Sequence, residues 1–204
     1  MNYQNLIFIN KVKSNIAAFG NKVILIAQML GINPNWIMFV MNNESGLNHT
    51  IKNPNGSATG LIQFTEATAK NLGTTTAALK AMSNVQQLDY VYKYFANWKN
   101  SIKNVSDTYL AVFYPLALFK DNSYVFPTWV VQANPIFDLN KDGKLTKQEF
   151  INYVNQKYSK IQPTATTTTN NTTNKSTDLL FYGLALYGLH LVQKYSRSKK
   201  NPLY

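Results

Sequence analysis

Cysteine is absent from the 204 residues. Disulfides and thiolate zinc sites are therefore excluded, and the redox compartment is left open. Arginine is nearly absent as well. Arg197 is the sole one, and lysine carries almost all of a formal net charge of +11. A basic surface suits an anionic partner such as a bacterial wall, an anionic lipid or a nucleic acid. Nucleic-acid readers lean on the arginine fork, and no nucleic-acid motif accompanies the lysines. Both observations argue against a nucleic-acid partner. No alternating polar–apolar run argues convincingly for a sheet. The apolar run within Met1 to Asn10 is too short for a signal peptide and has no positive region before it, so none is expected.

What is present is ample apolar material: 45% of residues are hydrophobic and 13% aromatic. That is enough for one sizeable domain with appendages. The expected class is mainly α. Residues 1–135 read as a helical domain, 136–160 as a loop-and-helix segment, 161–177 as a Thr/Asn-rich linker, and 178–204 as an apolar helix with a basic tail. Within the first unit, Val23 to Leu30 is an apolar helix ending at Gly31. Thr65 caps a short helix through Lys70, stopped by Gly73. Ser83 caps another, with Val85, Leu88, Tyr92 and Phe95 on one face, and Ser106 caps a third that runs into Pro115. Phe126 to Val131 is one short piece, extended or helical.

One carboxylate stands in an unusual place. Asn33 caps a helix that starts at Pro34, and Ile37, Val40, Met41 and Glu44 share its apolar stripe. Gly46 suits the position just past the end. Glu44 therefore lies in the last turn, where the helix dipole disfavours a negative charge by roughly 0.3–1 kcal/mol. Partial burial disfavours it further. Both effects raise its pKa, and an acid protonated near neutrality is what protonation of a glycosidic oxygen requires.

A second constellation is Asp138-Leu139-Asn140-Lys141-Asp142-Gly143-Lys144-Leu145-Thr146-Lys147-Gln148-Glu149. It matches the EF-hand loop. Side-chain oxygens fall at Asp138, Asn140 and Asp142, a backbone carbonyl at Lys144 and a bidentate carboxylate at Glu149. Gly143 supplies the sharp turn. The expected ligand is Ca2+. Pro135 interrupts the entering helix, which points to a structural site and not a sensor.

Glu44-Ser45-Gly46-Leu47-Asn48, followed by Asn53-Pro54-Asn55-Gly56-Ser57-Ala58-Thr59-Gly60-Leu61-Ile62-Gln63-Phe64, resembles the soluble lytic transglycosylase family, which shares the lysozyme-like fold. The resemblance covers roughly residues 33–73. It implies a lysozyme-like helical domain that cleaves the MurNAc–GlcNAc bond of peptidoglycan with Glu44 as single acid and base, giving 1,6-anhydro ends. It further implies that Gln63 lines the sugar cleft, that Ser45 stands beside the acid, and that Asn53 replaces a substrate-contacting serine. The family's Ala-Tyr-Asn motif is altered here to Tyr109-Leu110-Ala111-Val112-Phe113-Tyr114-Pro115. Its tyrosine, which touches the catalytic acid, is then either Tyr109 or Tyr114. Some members also carry an EF-hand-like calcium site. No second motif-borne carboxylate accompanies Glu44, although folding can still bring Asp89 or Asp107 near. Glu66 has an ordinary explanation at the start of its own helix.

Residues 179–192 are apolar nearly all round and span roughly 20 Å as a helix, short of a ~30 Å hydrocarbon core. They are expected to anchor the chain to a membrane or to dock on a partner such as a virion component. Taken together, the sequence suggests a bacteriophage or bacterial-envelope enzyme. Its rivals are a lysozyme hydrolysing the same bond and a wall-binding or structural virion protein without catalysis.

Overall fold

A computed structural model describes residues 1–54 and 56–161. Eight α-helices follow in order: α1 (Ile16–Leu30), α2 (Pro34–Ser45), α3 (Glu66–Asn71), α4 (Thr76–Ala81), α5 (Asn84–Ala96), α6 (Val105–Phe113), α7 (Thr128–Ala133) and α8 (Lys147–Ser159). Single 3-10 turns cover Pro115–Phe119 and Pro135–Phe137. Among the described residues the only β pairings are isolated bridges, Lys52 with Thr59, Thr59 with Phe64 and Val125 with Thr146. The fold is mainly α, as the sequence implies.

The core is organised around α2. Asn33 caps it through the Asn35 N–H, Pro34 opens it, and Gly46 closes it at φ 60°. Five consecutive residues, Ile37 to Met41, are fully buried. A helix that is apolar on every side belongs in the middle of a domain, and α2 packs against both α1 and α6. Helix α8 then lies against α6, with Phe150 and Val154 turned into the core. No single helix among the described residues is long and apolar enough to cross a membrane.

Several boundaries differ from the sequence reading. Helix α1 begins at Ile16, seven residues before Val23, and buries Phe19 and Gly20 as well. Helix α6 is capped by Asn104, whose side chain accepts from the Asp107 N–H. Ser106 sits inside the helix and bonds Asn155. The inward face of α5 runs through Gln87, Leu88, Val91 and Phe95, while Val85 and Tyr92 are half-buried. The short α4, capped by Thr75, has no counterpart in the reading. Phe126 to Val131 divides: the Phe126 N–H donates to the Leu145 carbonyl, and α7 starts at Thr128. The expectations for 162–204, the linker and the apolar tail, lie outside the described residues.

Candidate active site

Glu44 stands in the last turn of α2, where the chain reverses through two left-handed residues, Gly46 (φ 60°) and Leu47 (φ 63°). It is 1% exposed. Neither carboxylate oxygen closes a hydrogen bond. Burial alone therefore dominates its ionisation, and its pKa is pushed up from 4.5 to about 8, with the Tyr109 hydroxyl opposing the rise. That hydroxyl is directed at the carboxylate without meeting standard hydrogen-bond geometry. The influence is mutual. Burial and the neighbouring Glu44 charge hold Tyr109 well above the usual tyrosine range. Helix α5 contributes a second tyrosine. The Tyr94 hydroxyl donates to the Ala111 carbonyl at 2.6 Å, and after burial the Glu44 charge is the next cause that keeps it protonated.

Of the two candidate tyrosines, the structure brings Tyr109 to Glu44. Tyr114 terminates α6, lies 3.4 Å hydroxyl to hydroxyl from Tyr124, and packs its ring on Phe126 and Trp129. The other acids are engaged elsewhere. Asp89 pairs with Lys22 at 2.8 Å on the surface, and Asp107 accepts from the Lys103 N–H. Glu66 stands in the first turn of α3, as expected, and pairs with Lys70 of the same helix at 3.8 Å. It accepts from the Thr76 N–H and hydroxyl, at 3.0 and 2.6 Å, and so ties α3 to α4.

The second motif is folded onto the first. The Ser45 hydroxyl lies 2.9 Å from both the Met41 and the Leu61 carbonyls, and so links the end of α2 to the following turn. That turn is closed by paired backbone bonds between Thr59 and Phe64. Gly60 sits at φ 77°, and a Cβ there would collide with the Gln87 side chain. Gln63 is also left-handed, at φ 51°, a conformation that costs a non-glycine residue about 1–2 kcal/mol. It is fully buried. Its amide N–H donates to the Gly60 carbonyl at 3.1 Å, while its side-chain oxygen has no partner. Glu44 and Gln63 thus both hold buried oxygens without a protein partner, as groups with a catalytic or binding role often do. Asn53 lies in the preceding loop, where its N–H donates to the Ala58 carbonyl.

The sequence reading missed three contributors. Gln87 clamps the motif from α5: its oxygen accepts from the Leu61 N–H, and its amide donates to the His49 and Leu79 carbonyls. The available signal is a glutamine on the apolar face of an amphipathic helix, where an uncharged polar group has to meet backbone. Tyr94 carries no motif signal. The Trp98 indole N–H, buried without a standard partner, is directed toward the Tyr94 hydroxyl and offsets part of its rise.

Within the loop at 138–149, Asp138 accepts from the Asp142 and Gly143 N–H groups, Asn140 from Asp142, and Asp142 from Lys144. Gly143 takes φ 78°. Thr146 and Glu149 form a reciprocal capping box at the start of α8. One oxygen of Glu149 makes those bonds, and the other is buried without a partner. Among the described residues, no three His, Cys, Asp or Glu side chains are gathered at metal-binding spacing. The frame of the loop is formed, with its carboxylates turned onto its own N–H groups.

Residues 22–113 match the family model of the Transglycosylase SLT domain. The matched segment contains Glu44, the Gln63 turn and Tyr109. That family comprises lytic transglycosylases acting on peptidoglycan, so the enzyme class and the substrate read from the sequence are those of the matched domain. The mainly helical fold agrees with a lysozyme-like SLT domain. No curated protein matches the chain.

Proposed function

We propose that Glu44 is the single acid and base of a peptidoglycan lytic transglycosylase that leaves 1,6-anhydro ends. The observation that carries this reading is a carboxylic acid buried to 1% exposure, without a hydrogen-bond partner and with its pKa raised to about 8. Such a group is mostly protonated at neutral pH and donates readily. In the first step Glu44 gives its proton to the glycosidic oxygen as the bond from the MurNAc anomeric carbon breaks. The resulting carboxylate then takes the proton of the same sugar's 6-hydroxyl, whose oxygen bonds to the anomeric carbon. The proton returns to Glu44, and no water is consumed. Asp89 and Asp107 are held in other contacts, which weakens any scheme that needs a paired carboxylate. The Tyr109 hydroxyl faces the carboxylate and stabilises its charged form between the two steps. The Gln63 oxygen is available to accept from a sugar hydroxyl or amide. Because the carboxylate is closed off from solvent here, substrate entry requires neighbouring side chains to move.

Mass spectrometry of digested wall tests this reading. Anhydro-terminated fragments support it. Reducing ends that take up labelled water oxygen would establish the lysozyme reaction instead. Binding without any fragments would mark a wall-binding module.

The loop at 138–149 is proposed to take Ca2+. Asp138, Asn140, Asp142, the Lys144 carbonyl and Glu149 would hold it, and the buried second oxygen of Glu149 is the donor that lacks a partner. A divalent cation there would supply charge balance to the loop and no chemistry to the glycan. The apolar stretch 179–192 is proposed to tether the enzyme to a membrane or a bacteriophage particle, on the strength of its composition.

A further inference from the structure

The family match ends at Phe113, yet the surroundings of Tyr109 do not. Its ring lies 6.0 Å from Phe39 and 6.3 Å from Phe113, both inside the matched segment. It also lies 5.5 Å from Phe150 and 6.4 Å from Phe137, both outside it. These last two occupy special positions. Phe137 immediately precedes the first residue of the 138–149 loop, and Phe150 immediately follows the last. The loop brings its two ends together, so their rings meet at 5.0 Å. Each also packs on Phe113, at 5.0 and 4.9 Å. All three phenylalanines are buried. Helix α8 adds Tyr158 against Phe39 at 5.4 Å. Lys157 reaches Asn43, the residue before Glu44, at 2.7 Å.

We infer that Phe137 and Phe150, the two flanks of the acidic loop, are positioning residues for catalysis that set the Tyr109 hydroxyl against Glu44. The inference rests on Glu44 being the acid, as proposed above. Its physical basis is the shape of the site. Tyr109 meets the carboxylate without a tight hydrogen bond, so its placement is fixed by what surrounds the ring. Aromatic pairs at these separations hold defined edge-to-face and offset arrangements. Two of the four rings come from the loop's ends. A change in loop closure is therefore transmitted to Tyr109 directly. The segment 22–113 alone lacks half of this cage.

The test uses the full chain and a double-mutant cycle on purified wall. Phe137→Leu is expected to lower kcat roughly tenfold with KM held within about twofold, since misplacement of a catalytic partner acts mainly on the chemical step. In a Tyr109→Phe background the same change is expected to add nothing, because the hydroxyl it positions is gone. An equal further loss in that background would overturn the inference. Phe150→Leu provides the same comparison from the other flank. If both variants fail to fold, the wild-type protein decides by NMR. Ring-to-ring cross-relaxation from Tyr109 to Phe137 and Phe150 is expected, and its absence would refute the cage. Full activity of Glu44→Gln would instead defeat the underlying assignment while leaving those ring contacts in place.

Discussion

Replacing Glu44 with glutamine isolates the energetic consequence of burying an ionisable group. The native pKa of Glu44 is raised from 4.5 to about 8, and the first cause is desolvation. Between those two values the folded protein keeps the proton and the unfolded chain releases it. The folded state thus binds more protons, so stability falls as pH rises. The stability is fully present below pH 4.5 and is lost progressively up to pH 8. Within that window each step of one in pH removes about 1.4 kcal/mol, which puts the loss between pH 5 and pH 8 at roughly 3–4 kcal/mol. That is a large fraction of the roughly 5–15 kcal/mol that holds a typical domain together. Glutamine occupies nearly the same volume and does not titrate. Its buried amide adds a penalty of about 1–3 kcal/mol, but that penalty is constant with pH. Glu66 and His49, whose pKa values are both lowered, are common to the two proteins and cancel in the difference. The assay is urea unfolding of wild type and Glu44→Gln at pH 5, 6, 7 and 8. The wild-type value is expected to fall relative to the variant by about 3–4 kcal/mol across that range. Parallel curves would refute the claim that Glu44 is buried and protonated at neutral pH.

Three further outcomes follow from the geometry. In Tyr109→Phe, loss of the hydroxyl that opposes the rise is expected to shift the alkaline limb of kcat to higher pH and to slow wall cleavage about ten- to a hundredfold; an unmoved limb would detach Tyr109 from Glu44. Gly60→Ala places a Cβ against Gln87 at a left-handed φ and is expected to cost at least about 1–2 kcal/mol, read as a fall in melting temperature, with Gln87→Leu showing a comparable loss. Adding Ca2+ is expected to raise the melting temperature by several degrees, corresponding to about 2.7 kcal/mol at one hundred times Kd, and Glu149→Gln is expected to abolish the rise; a chelator-insensitive transition would count against the site.

The parts of the site that come from consecutive residues were readable in advance. Asn33, Pro34 and Gly46 delimit α2 in the sequence as they do in space, and that places Glu44 in its last turn. The frame of the 138–149 loop is similarly local. What depended on helix register was harder. Helix α6 ends at Phe113, so Tyr109 and Phe113, four residues apart, share its inward face while Tyr114 lies past its end. A helix read as running on into Pro115 leaves that choice open. The partners of contacts formed across the chain were not legible, even where a residue such as Gln87 signalled that it must meet backbone. Gln87 binds Leu61 in the Gly60 turn from 26 residues away, and Phe137 packs against Tyr109 from another part of the chain. Glu66 shows the converse: its position fits a helix-dipole role, but its hydrogen bonds go to the next helix.

The most direct measurement of the central claim is the rate of wall clearing by Glu44→Gln beside wild type, with wall binding measured on both. The account predicts unchanged binding and a loss of clearing of at least about a hundredfold, the range expected when a general acid is removed. Clearing by Glu44→Gln at the wild-type rate would contradict it.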